Sequence, residues 1–287
     1  SMFSLHELID RNVPSQIPYY YDDQKCKVDA NGFTATMYAV TLNRIQCLQM
    51  IRGCELISSD SRREFRMQHS ESGETALIMA AKARSEEAVR ILISEFGVID
   101  RLGYSALAYA LMGKNDHMVH LLAPCEAGVR VQGLTVLQFV VFCGLPQFFD
   151  LFKDQLGQFS IPSRASFRHE VTALTIAALS CRFDFFFQLR AEAGLQDGDG
   201  KTALMKVFEQ ILRIQEQKVD YESFCSLSVE DLKKSATLLV ELKFEVRKQD
   251  ANGETALMRA RKCRGCEELV AGLEEVEGDL VDAQGRK

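Results

Sequence analysis

A five-residue phrase that returns along the chain constrains its fold more than any other feature. It reads Gly73-Glu74-Thr75-Ala76-Leu77, Gly103-Tyr104-Ser105-Ala106-Leu107, Gly133-Leu134-Thr135-Val136-Leu137, Gly200-Lys201-Thr202-Ala203-Leu204 and Gly253-Glu254-Thr255-Ala256-Leu257. Gly32-Phe33-Thr34-Ala35-Thr36 is a weaker first copy, and Glu170-Val171-Thr172-Ala173-Leu174 keeps Thr-Ala-Leu without the glycine. Anchors at 32, 73, 103, 133, 170, 200 and 253 lie 41, 30, 30, 37, 30 and 53 residues apart, so the basic period is 30. Such a period marks stacked repeats, each of which buries its apolar face only against its neighbours.

Within one unit the residue types predict turn, helix, loop, helix. Asp29, Asp100, Asp197 and Asp250 stand three residues before their anchors, giving Asp-x-x-Gly, in which Asp bonds its own backbone and Gly takes positive φ. The Thr that follows suits a helix N-cap, and the small residues after it, as in Ala76 to Ala81, let a second helix approach closely. That second helix begins about a turn later, over Glu86 to Ile93 and Asp116 to Leu122. Ala88, Val89 and Leu92, then Met118, Val119 and Leu122, give each copy one buried stripe.

The phrase resembles the ankyrin repeat, usually Asp-x-x-Gly-x-Thr-Pro-Leu-His-x-Ala-Ala. Here Ala or Val replaces Pro, and Ile, Ala, Gln, Thr or Met replaces His, which removes the usual Thr-His hydrogen bond. The Thr-Ala-Leu-Met form, with Leu122 to Gly128 between copies, is most similar to arrays expanded in flagellated protists, some of them attached to NimA-related kinases. The resemblance implies an all-α ankyrin-repeat solenoid of about seven turn-helix-loop-helix repeats.

Departures from the period set the expected boundaries. Residues 1–28 read as a capping helix (3–10) and an irregular lead-in, 29–281 as the array, and 282–287 as the start of a further, truncated repeat. Ser1 ahead of Met2 reads as a tag remnant before a native start. The first long gap places Arg62, Arg63 and Arg66 on an exposed basic loop. An enlarged repeat spans 197–249, with helices expected over Leu204 to Lys218 and Val229 to Glu245, the latter opened by Ser228 and two acidic residues.

Composition excludes several classes. Forty acidic against 34 basic residues give a charge of −6, the wrong sign for a chain whose main partner is nucleic acid or an anionic membrane surface. Nine cysteines with no repeated spacing point to reduced thiols and a cytoplasmic location. The uncharged run from Val131 to Phe149 contains three glutamines, two glycines and a proline, which argues against a membrane span. Gly198-Asp199-Gly200-Lys201-Thr202 resembles a phosphate loop, but Leu195 stands where its first glycine belongs. Cys263 and Cys266 form one Cys-x-x-Cys pair without the second pair a structural zinc needs, and His117 and His120 lack a third ligand. No catalytic, cofactor or metal constellation is present in the sequence, so a non-enzyme is expected, without cofactor.

The resemblance implies that a protein partner docks on turn tips and first helices. At the corresponding positions, repeats three to five carry Leu102, Tyr104, Met112, Val131, Leu134, Phe142, Val171 and Leu179, rimmed by Arg101 and Arg168, whereas repeats six and seven are polar there. An apolar stripe rimmed by arginine suits an interface, so the expected function is a protein-protein interaction scaffold. The alternatives are a regulatory or targeting segment of a larger protein such as a NimA-related kinase, and a structural unit that self-associates through the outer-face residues Phe183 and Phe187. Phe148, Phe149, Phe152, Phe185 and Phe186 are expected in the core.

Overall fold

The computed structural model describes residues 3–58, 64, 66–163, 170–216, 228–243 and 245–287. Arg62, Arg63 and Arg168 lie outside them. The described chain divides into two compact units, Ser1–Val131 and Gln132–Lys287. The first holds α1 (Leu5–Asp10), α2 (Ile17–Gln24), α3 (Ala35–Thr41), α4 (Ile45–Ile57), α5 (Ala76–Lys82), α6 (Glu86–Leu92), α7 (Ala106–Met112) and α8 (Asp116–Glu126). The second holds α9 (Val136–Cys143), α10 (Ala173–Leu179), α11 (Ala203–Gln215), α12 (Val229–Glu241), α13 (Ala256–Ala260) and α14 (Glu267–Glu277).

Each first helix starts where the phrase places it. The hydroxyl two residues past the anchor accepts the N–H three residues further on: Thr75 from Ile78, Ser105 from Ala108, Thr202 from Met205, Thr255 from Met258. This satisfies one of four unpaired N–H groups at each helix start. A buried acidic side chain at the end of the same repeat takes another. Glu95 accepts from Leu77 N–H (2.9 Å), Glu126 from Leu107 (2.7 Å), Glu192 from Leu174 (2.7 Å), Glu245 from Leu204 (2.9 Å) and Glu277 from Leu257 (2.9 Å).

The second oxygen of each carboxylate reaches back into the repeat before. It accepts from Arg66 (Glu95), Gly97 (Glu126), Gly157 (Glu192), Gly194 (Glu245) and Arg247 (Glu277), at 2.7 to 3.1 Å. These donors have positive φ and each lies two residues after the previous repeat's acidic or amide residue, so one bracket is hinged on the next. The cap hydroxyls of Thr75, Ser105, Thr172 and Thr202 also bond to the carboxylates. The missing Thr-His bond is thus replaced by a Thr-Glu bond within the repeat, made by a carboxylate whose second oxygen reaches the repeat before. Gln155 accepts from Leu137 N–H, and Gln24 accepts from Leu5 N–H while donating to Phe3 O, so an amide takes the place twice.

The turns stack as well. Asp100 Oδ1 accepts from Leu102 and Tyr104 N–H, and Asp197, Asp250 and Asp282 repeat the pattern. Successive tips join by one backbone bond: Arg101 N–H to Ser72 O, Ala251 to Asp199, Ala283 to Asn252. Gly253, at φ 75°, permits this approach, since a Cβ there would lie 2.6 Å from Ala283 N. Asp282 repeats this turn, holding the Gln284 and Arg286 N–H groups.

Four expectations change in detail. The N-terminal segment is a helix pair: α1 packs on α3 and α2 on α4, so α1 occupies a first-helix position, and the lead-in is ordered by Ile17 and Tyr21, buried one turn apart. Ser4 closes α1 with a capping box to Glu7. In the enlarged repeat α11 runs to Gln215, the expected end at Lys218 lying outside the described residues, and α12 stops at Glu241, short of Glu245, which serves as the bracket carboxylate. The fifth repeat opens its turn at Ser160, which pairs antiparallel with Val171, rather than just before Glu170. Its second helix and that of the fourth are 3-10 turns, Phe183–Phe185 and Pro146–Leu151. Phe148, Phe149, Phe152, Phe185 and Phe186 are buried as expected.

Two predictions follow from the brackets. Replacing Glu126 with Ala leaves two interior N–H groups bare and should cost about 2–4 kcal/mol in denaturant unfolding; Glu126→Gln keeps one acceptor and should cost less. Burial pushes the Glu95 carboxyl up to about 7, against the pull of the Leu77 and Arg66 N–H groups, and raises Glu64, Glu126, Glu192 and Glu245 as well. A carboxyl raised by folding supports the fold fully below its unfolded value and loses that support as pH climbs through the folded one. Unfolding free energy should therefore fall between pH 5 and 8, and Glu95→Gln should flatten the fall; a rise with pH in wild type would contradict this.

Candidate interaction surface

The third repeat presents the best-defined surface. Its turn is held from inside: besides the two amides on Oδ1, Asp100 Oδ2 accepts the hydroxyl of Tyr109 at 2.6 Å. Burial and this bond push the Tyr109 hydroxyl above the usual phenol range. Arg101 donates to Ser70 O at 2.6 Å, fixing the tip to the second repeat. On this frame Leu102 is 48% exposed and Met112, the last residue of α7, 41% exposed. Tyr104 is half-buried, its ring 5.6 Å from that of Tyr109 and tilted by 58°. The Lys82 ammonium lies 5.3 Å from the Tyr109 ring centre and pairs with Glu74, so a cation borders the aromatic pair.

In the second unit the expected stripe reaches the surface only at Phe142, and there in part. Leu134 is buried because the 161–163 segment lies over the Gln132-Gly133 turn, with Ser163 N–H bonded to Gln132 O at 2.7 Å. Val171 is buried as the partner strand residue of Ser160. Leu179 ends α10, where α12 packs and Ser235 donates to Ala178 O at 2.8 Å. At the end of the first unit Val131 turns inward while Arg130 takes the outward position. Phe142 is half-buried, with Arg182 bonded to its carbonyl. Exposed apolar area among the ten expected residues is therefore concentrated at Leu102 and Met112.

Repeats six and seven carry a closed charge network on their first helices. Lys206 meets Asp197 at 2.7 Å, Glu209 meets Lys201 at 3.0 Å and Arg213 at 2.9 Å, and Arg259 pairs with Asp250. Burial alone would raise Asp197; the Lys206 ammonium and the Lys201 and Asp199 N–H groups bring it below the usual range. Tyr109, Lys206 and Arg259 all stand nine residues after a turn Asp; Tyr109 and Arg259 donate to its outer oxygen and Lys206 forms an ion pair with it. Reading the turns alone misses these three. Their signal is a donor nine residues after Asp, and Met79, Phe139 and Ile176 occupy that place in the repeats that lack the Asp.

The other candidate chemistry has local explanations. Thr202 caps α11, Lys201 is paired with Glu209, His117 bonds Glu86, and His120 bonds the carbonyl of Asp116. Among the described residues no three His, Cys, Asp or Glu are grouped to hold a metal, and no helix is long and apolar enough to cross a membrane.

A family model for ankyrin repeats, three copies long, matches residues 52–133. No curated protein matches the chain. Among solved structures, the ankyrin repeat domain of Bcl-3, described as a unique member of the IkappaB protein family, is similar over 85% of this chain and 99% of its own. The TM-score is 0.59 and the identity 16%. Removing the Tyr109 hydroxyl by Tyr109→Phe should loosen the turn: hydrogen exchange at the Leu102 and Tyr104 amides should quicken about fivefold, for a bond worth about 1 kcal/mol, while the capped Ala108 amide keeps its rate.

Proposed function

Taking the chain as an all-α solenoid of ankyrin repeats, we propose that it is a non-enzymatic scaffold whose protein partner docks on the third repeat, on the turn tip and the end of α7. The observation that carries this is the exposure of Leu102 and Met112 around Tyr104, on a turn fixed by Asp100, Tyr109 and Arg101. Rigid apolar side chains bind well because little freedom is left to lose, and Tyr beside a cation is a usual energetic centre of an interface. Phe142 in the fourth repeat is a further, half-exposed candidate. A second reading has its own observation: Phe187 is 73% exposed beneath the Arg190 guanidinium, 4.6 Å from its ring centre, and Phe183 leans on Phe186. Such a side chain suits contact between copies.

A partner captured from the native cell and purified should lose at least about tenfold in affinity to Tyr104→Ala plus Met112→Ala, with circular dichroism unchanged. Undiminished affinity would place the partner elsewhere. Sedimentation across concentrations decides the second reading: self-association lost in Phe187→Ser supports it, and a monomer throughout removes it.

A further inference from the structure

Between α13 and α14 the chain makes the turn Cys263-Arg264-Gly265-Cys266, with Gly265 at φ 70°. A two-residue turn brings its flanking Cα atoms to within about 7 Å, inside the range a disulfide spans. The turn therefore sets Cys263 and Cys266 within reach of one another. Cys263 Sγ also lies 3.5 Å from the carbonyls of Phe208 and Arg259, in the packing of α13 on α11. Cys266, 2% exposed, forms part of the wall of a cavity of about 360 Å³ between α12 and the start of α14, shared with Glu230, Lys233, Lys234, Thr237, Glu267 and Glu268; Lys233 is paired with Glu230 and Lys234 with Asp231. Lys233 Nζ is close enough to Gly265 that a Cβ there would sit 3.0 Å from it.

We propose that Cys263 and Cys266 are a thiol-disulfide exchange site for a small soluble disulfide of the glutathione class, entering through this cavity. The Cys266 thiolate attacks one sulfur of the disulfide; a mixed disulfide forms, the original S–S bond breaks, and the departing thiolate takes up a proton. Cys263, ionised in turn, attacks the Cys266 sulfur, closes the internal disulfide and releases the second thiolate, which is also protonated. One small disulfide is reduced to two thiols, the protein dithiol is oxidised, and the two protons lost by the cysteines are those gained by the leaving groups.

The order follows from position. Cys266 faces the cavity and the lysine, whereas Cys263 sits behind it among backbone carbonyls. Burial pushes the Cys263 thiol up to about 12; burial raises Cys266 as well, the Lys233 ammonium drawing it back against the Glu267 and Glu230 carboxylates. Cys266 is the thiol that an entering disulfide meets first, and with both thiols raised the exchange is slow at neutral pH.

The test equilibrates the full chain in buffers of graded oxidised-to-reduced glutathione ratio, alkylates remaining thiols and maps the cysteines by mass spectrometry. The internal 263–266 disulfide should accumulate with a single midpoint, ahead of modification at Cys47, Cys54 and Cys143. In Cys263→Ser, Cys266 should instead be held as the mixed disulfide with glutathione, and in Cys266→Ser, Cys263 should stay alkylated. A wild-type chain in which 263 and 266 remain alkylated while other cysteines react would overturn the proposal, and so would glutathione bound equally to Cys263 in Cys266→Ser.

Discussion

A buried carboxylate, shared between the start of a first helix and the loop of the repeat before, is the interaction on which the stacking depends. An isolated short helix has four bare N–H groups at its start, and a seven-residue helix such as α5 or α7 has too few internal bonds to offset them. The cap hydroxyl takes one N–H and the carboxylate takes the next, while its second oxygen fixes the preceding loop. Burying the charge is costly, as the raised carboxyl of Glu95 records. The return is positional: three donors converge on one side chain, and they converge only when two repeats are in register.

The same device is built at the turn. Asp100, Asp197 and Asp250 each hold two amides with one oxygen and offer the other to a side chain on the first helix, which is Tyr109, Lys206 or Arg259. That choice of donor sets the character of the surface. A tyrosine leaves an uncharged platform for Leu102 and Met112, whereas Lys206 pairs with Asp197 and Arg259 links Asp250, Glu209 and Glu254 in an ion-pair network. Surface specialisation from repeat to repeat thus requires no change in backbone.

Much of this was legible in the sequence. The phrase and its Asp-x-x-Gly turns located every first helix among the described residues from α3 onward, and the phenylalanine clusters were placed correctly in the core. The brackets were not, although the Glu-x-Gly of Glu95, Glu126 and Glu192 recurs in plain view. A glutamate at the end of an amphipathic helix is solvated in most proteins, and only the fold shows that this one turns inward. At the N-terminus α1 is legible as a capping helix, but its pairing with α2 is not, because the pair lacks the phrase and its bracket is an amide at Gln24. The buried stripe of Val131, Leu134, Val171 and Leu179 misled because position in a repeat was taken for exposure. Local covers, the 161–163 segment and α12 among them, decided otherwise.

The claim that one carboxylate ties two repeats together is tested most directly by hydrogen exchange in Glu192→Ala. Its two backbone donors, Leu174 N–H at the start of α10 and Gly157 N–H in the preceding loop, are distant in sequence and share only this side chain. Both amides should lose protection together, by a similar factor, while the Thr175 amide, held by the Thr172 cap, keeps most of its own. Loss at one amide alone, or at neither, would contradict the account.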